Sequence, residues 1–124
     1  MPLSTLADAP RFARDGFIFR PLAVPSRGST ELAVWALELE PGAVSETHSM
    51  DREEVFVVVS GAVAATVDGR EATAGPGDAI IVPPHAGLRI RNAGAGDRAL
   101  LTVATSVGMR AIVDGAPFTP PWAQ

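Results

Sequence analysis

Glycine and proline recur so often along this chain that little room is left for a helix of ordinary length. Twelve Gly and eleven Pro are spread over 124 residues, and the segments between them are short and rich in Val, Ile, Leu and Phe, which is the pattern of an all-β domain. Eight strands are expected, at 17–22, 31–40, 53–60, 62–69, 78–83, 88–92, 98–106 and 109–114. Pro41-Gly42, Ser60-Gly61, Asp68-Gly69, Gly75-Pro76-Gly77, Pro83-Pro84 and Asn92-Ala93-Gly94 supply the turns between them, because these residues tolerate a positive φ or preset a negative one. Only LADAPRFARD near the start offers a short helical turn, which Pro10 limits. Eight strands at this spacing suggest a sandwich or a barrel.

Side-chain alternation assigns the faces. In 31–40, Ala33, Trp35, Leu37 and Leu39 share one side and are expected inside, while the other side ends in Glu38 and Glu40. In 53–59, Glu54, Phe56 and Val58 share a side, but Val55, Val57 and Val59 opposite them are apolar as well. Such a strand is expected to be covered on both faces, by a second sheet or by another subunit. The segment APFTPPWAQ is too proline-rich for a regular strand and reads as an ordered or half-ordered tail anchored by Trp122.

Hydrophobic residues at 47% and charged residues at 19% suit one packed core, so 1–124 is read as a single domain. The net charge is −4, and the ten basic residues are arginines with no cluster among them. Nucleic acid, which needs a basic stripe to displace counterions, is therefore not an expected partner. With no Cys, neither disulfides nor thiolate metal ligands are available. No apolar run approaches the ~20 residues that span a bilayer, so a cytoplasmic protein without a membrane partner is expected.

The chemistry is concentrated in two stretches. From Gly42 to Gly61 the chain places His48, Met50 and Glu54 at gaps of one and three residues, with Gly61 after a further six. This resembles the first signature of the cupin superfamily, G-x5-H-x-H-x3-E-x6-G, with Met50 in place of the second histidine. The stretch 77–92 resembles the second signature, G-x5-P-x-G-x2-H-x3-N, through Gly77, Pro83 and Asn92, with His85 in place of Gly and Leu88 in place of the last histidine. The resemblance covers about 30–106 and implies an RmlC-like jelly-roll barrel (a double-stranded β-helix) whose open end holds a ligand, with 1–16 as an N-terminal arm and 115–124 as a C-terminal tail. It also implies a homodimer that packs outer β faces or exchanges N-terminal strands.

The resemblance would place metal ligands at 48, 50, 54 and 88, where this chain has His48, Met50, Glu54 and Leu88. Iron, manganese, zinc and nickel in such barrels want imidazole and carboxylate donors; a thioether suits copper(I), and leucine donates nothing. His85 could complete a 2-His-1-carboxylate set with His48 and Glu54, although its offset of three residues from position 88 opposes this in a strand. Alternatively, His48 and Glu54 pair by a hydrogen bond across the Asp51-Arg52 turn. Met50 and Leu88 then line an apolar pocket with Trp35, Leu37, Phe56, Val58 and Ile90.

Three functions follow as expectations. One is a small-molecule-binding barrel with a degenerate, metal-free site, oriented by His48 and Glu54. A second is an enzyme: either a metal-dependent dioxygenase or isomerase that holds a divalent transition metal with His48, Glu54 and His85, or a metal-free acid/base catalyst that uses the same residues. The third is a structural or partner-binding module acting through its outer valine face.

Overall fold

The structure, a computed structural model, describes residues 2–124. Twelve strands form among these residues: β1 (Phe12–Arg14), β2 (Phe17–Ala23), β3 (Leu32–Leu39), β4 (Ser49–Met50), β5 (Glu54–Ser60), β6 (Val63–Val67), β7 (Arg70–Ala74), β8 (Ala79–Val82), β9 (Leu88–Asn92), β10 (Ala99–Ser106), β11 (Ala111–Val113) and β12 (Ala116–Phe118). The only helical pieces are 3-10 turns at Pro25–Arg27 and Pro121–Ala123. All eight expected strands are present: six are shortened at one or both ends, β9 keeps its expected bounds and β2 runs one residue further, to Ala23.

Three of the four additional strands, β1, β7 and β12, have one identifiable cause. β1 with β2, β6 with β7 and β11 with β12 are each joined by an Asp-Gly pair, at 15–16, 68–69 and 114–115, and both residues of every pair have positive φ. Two successive positive-φ residues match the right-handed twist of the strands they join, so Asp-Gly is a strong hairpin signal. That signal brings part of the N-terminal arm and part of the tail into strands. The segment 116–118 is therefore a strand despite Pro117, which sits on an edge where no ladder N–H is needed. In LADAPRFARD only a turn forms, closed by Ala9 N–H donating to Leu6 O at 3.1 Å, before the chain enters β1.

One sheet has the order β1-β2-β3-β10-β5-β8, and two three-stranded sheets have the orders β12-β11-β4 and β7-β6-β9. The smaller sheets are stitched together through the residues leading into β4. Val44 and His48 form antiparallel bridges with Arg91 and Leu88 of β9, and His48 and Leu88 exchange both main-chain hydrogen bonds, at 3.0 and 2.7 Å. These pairings set a long β-layer opposite the six-stranded sheet, as in a jelly roll.

The core lies between the layers. Ala33, Trp35, Leu37 and Leu39 of β3, with Phe56 and Val58 of β5, all turn inward and are buried, as alternation predicts. Val63, Leu88, Leu101 and Val103 fill one part of the interior completely. On the outer face of β5, of the two covers expected, a second sheet is not present among the described residues. Val57 and Val59, neighboured by Ile81 and Leu100, remain exposed. Gly61 cannot be replaced freely, because at φ +84° a Cβ there would lie 2.9 Å from both Ala99 Cα and Arg98 O. It thus lets the end of β5 pass close to β10.

Candidate functional site

Where the interior is not filled, a cavity of about 170 Å³ remains, partly open to solvent. β2 contributes Phe17 and Phe19, β3 contributes Trp35 and Leu37, and β5 contributes Glu54 and Phe56. The opposite wall comes from His48, Met50, Ile90, Met109 and Ala111, and a third side from Phe118, Pro120 and Trp122. Of the chain's five Phe and two Trp, all but Phe12 line this cavity. Trp122 lies face to face on Phe19, with centroids 3.6 Å apart and planes within 4°. The expected tail anchor is thus present, and it packs over its own chain's cavity.

Glu54 is the first residue of β5, and the inward parity of that strand carries its carboxyl into the interior, where the residue is 4% exposed. Its Oε2 is the only buried side-chain N or O atom among the described residues without a hydrogen-bond partner. Burial alone pushes its pKa up from 4.5 to about 8, since a carboxylate without water or a partner is strongly disfavoured. At neutral pH the group is a carboxylic acid with a proton to donate.

His48 is half-buried at the rim, where Nδ1 lies 3.0 Å from the Glu46 carbonyl oxygen. A carbonyl only accepts, so Nδ1 carries the hydrogen and donates it, and Nε2 is an acceptor whenever the ring is neutral. No hydrogen bond or ion pair joins His48 to Glu54 among the described residues. The expected pairing across the Asp51-Arg52 turn is absent; the imidazole is bonded instead to the Glu46 main chain. The carboxylate that does interact at that turn is Asp51, which accepts from Arg110 N–H at 2.7 Å and from Arg110 Nε at 3.1 Å.

The other expected site residues divide. Trp35, Leu37, Met50, Phe56 and Ile90 line the cavity, whereas Val58 and Leu88 do not border it and are sealed in the filled core. His85 lies elsewhere. It adopts φ +66° in the turn after Pro84, is exposed, and is absent from the cavity wall. Its main chain is fixed there by a 2.7 Å hydrogen bond to Met50 O. The set of His48, Glu54 and His85 is therefore not assembled. Among the described residues no three His, Asp or Glu side chains gather closely enough to hold a metal ion. One imidazole, one buried acid, a thioether and a leucine do not fit a divalent transition metal.

Sequence reasoning missed Phe17, Phe19, Met109, Phe118 and Pro120, together with the rim residues Arg14, Asp15 and Glu46. The parity of FIFRPL places Phe17 and Phe19 on one face and could have revealed them. Arg14 and Glu46 form a 2.9 Å ion pair between the β1–β2 hairpin and the segment leading to His48, and no local pattern announces that contact.

With this geometry in place, the relationship to known proteins is clear. A family model described as "Cupin domain" matches residues 35–104, and the chain belongs to that family. Solved structures similar to it include an RmlC-like cupin from Shewanella frigidimarina, at 22% identity and a TM-score of 0.73 over 84% of this chain and 88% of that one. The polyketide cyclase RemF from Streptomyces resistomycificus matches at 18% identity and 0.75, over 98% and 88% of the two chains. KdgF from Halomonas sp. matches at 19% and 0.72, over 84% and 91%. Likeness at these identities shows the fold alone. No curated protein matches the sequence. Among the described residues no helix is long and apolar enough to cross a membrane.

Proposed function

We propose that this cupin binds a small, largely apolar molecule between its two β-layers, with Glu54 and His48 orienting the ligand's polar group. The observation that carries this reading is an aromatic-lined cavity whose one buried unpaired polar atom is Glu54 Oε2. Apolar walls with a few convergent polar groups are the usual composition of a small-molecule site. A buried group left without a partner costs on the order of 1–3 kcal/mol, and a ligand atom that pairs with it recovers part of that. The cavity is also the right size: an apolar cavity of roughly 150 Å³ in another protein takes up benzene.

The chain carries its own reporters, because both of its Trp residues line the cavity. Titration with small aromatic compounds is expected to quench or shift Trp fluorescence saturably and to raise the melting temperature through mass action. Trp35→Ala should weaken both responses about tenfold or more, the loss expected when a principal aromatic wall is removed. A saturable response that Trp35→Ala leaves unchanged would place binding outside this cavity.

A further inference from the structure

Within the binding reading above, on which this inference rests, we infer that the cavity takes an uncharged ring compound bearing a carbonyl or similar hydrogen-bond-accepting oxygen, and that this oxygen pairs with the Glu54 carboxyl. Three features of the site select this chemistry.

The first is shape and surface. A volume of about 170 Å³ walled by six of the chain's seven aromatic rings suits one substituted ring. The second is the balance of charge. Arg14 of β1, Asp15 of the β1–β2 turn, and Glu46 and His48 of the segment entering β4 are the charged or titratable groups that share the cavity with Glu54. β3, β8 and β10 direct none into it. Arg14, the one fixed cation, is held by Glu46 at 2.9 Å and approaches Asp15 at 3.9 Å. No free cation therefore remains for an anionic ligand, and a cationic ligand would enter beside a guanidinium. The third is the unpartnered acid itself. Glu54 Oε2 has no protein neighbour to accept its hydrogen, so a ligand acceptor completes what the fold leaves open. Burial, which moves the group's pKa up to about 8, keeps that hydrogen in place at neutral pH. A buried neutral carboxylic acid is an effective donor to a carbonyl oxygen.

Three probes of matched size separate the possible ligand charges: acetophenone as the neutral acceptor, 1-phenylethylamine as the cation and benzoate as the anion. Binding to the full chain is followed by ligand-observed NMR and Trp fluorescence between pH 6 and 9.5. Acetophenone is expected to bind best, with an affinity that is flat up to about pH 8 and then falls as Glu54 loses its proton. Glu54→Leu should weaken acetophenone binding about tenfold, the worth of one good hydrogen bond. Glu54→Gln, whose amide still donates, should retain binding and lose the pH dependence, which separates loss of the donor from loss of the fold.

Tighter binding of 1-phenylethylamine, with an affinity that rises through pH 8, would overturn the inference and leave the binding reading standing. So would tighter binding of benzoate, or acetophenone binding that Glu54→Leu leaves unchanged. If none of the three probes binds, both readings fall.

Discussion

Asp51 and Glu54 stand on either side of one tight turn, yet their carboxyls behave in opposite ways. Partial burial pushes Asp51 upward, but the Arg110 backbone N–H, the Arg110 guanidinium and the charges of Arg110 and Arg52 outweigh it and hold its pKa below the ordinary value. Glu54 faces the interior, meets no donor and no cation, and is pushed up to about 8 by burial. The difference comes from which side of the β-layer each backbone position presents, since both residues begin as ordinary carboxylic acids. A carboxyl with partners ties β4 to β11 and stabilises the fold. A carboxyl without them opposes folding at neutral pH, and a partner supplied by a ligand, as proposed above, would relieve that cost.

The largest test of this contrast is the pH dependence of stability. Because Glu54 titrates near 4.5 when unfolded and near 8 when folded, the folded state holds the extra proton throughout that window. Stability should fall as pH rises across it, by up to ~1.4 kcal/mol per unit and a few kcal/mol in all. Denaturant titrations should show Glu54→Gln losing that slope, so that the variant gains on the wild type between pH 5 and pH 8. Parallel curves for the two proteins would mean that Glu54 is solvated or paired in solution.

Asp51→Asn should give a smaller effect of the opposite pH sense. Asp51 contributes stability that is present above its unfolded pKa and lost as pH falls through its lowered folded pKa. Chemical denaturation at pH 7 should register a loss of about 1–2 kcal/mol for weakening its charge-assisted bonds to Arg110. Wild type and variant should converge only once the pH has fallen past the lowered folded pKa of Asp51, where both carry an uncharged side chain.

The smallest effect is expected at the cavity's third side. Trp122→Ala removes the stack on Phe19, worth about 0.5–1.5 kcal/mol, and admits water towards Glu54. The carboxyl resonance of Glu54, followed by NMR, should then titrate at a lower pH than in the wild type. An unmoved midpoint would show that Trp122 does not keep the group dry.

Much of this architecture was legible in the sequence. The inward faces of β3 and β5 follow from strict alternation in ELAVWALELE and EEVFVVVS, and burial confirms them residue by residue. β7 was not legible by the same rule, because REATA carries its register in the Asp68-Gly69 turn rather than in apolar side chains. The cavity was half legible. Spacing within β3, β5 and β9 identifies Trp35, Leu37, Glu54, Phe56 and Ile90, while Phe118 and Trp122 arrive from far along the chain. Val58 and Leu88 share the inward parity of the cavity residues but lie at a depth where the layers close, and parity carries no information about depth. The environment of Glu54 was the least legible, since its acidity depends on the absence of neighbours, which no local pattern records.

The paired bridge at 48 and 88 has an evolutionary consequence. Its two hydrogen bonds are made by main-chain atoms alone, so whichever side chains occupy these positions are direct cross-strand neighbours on one patch of the β-layer. Substitutions at the two sites are therefore epistatic: the effect of a new residue at one depends on what stands at the other. The chemistry of this patch can drift by pairs of mutations while the scaffold beneath it stays fixed.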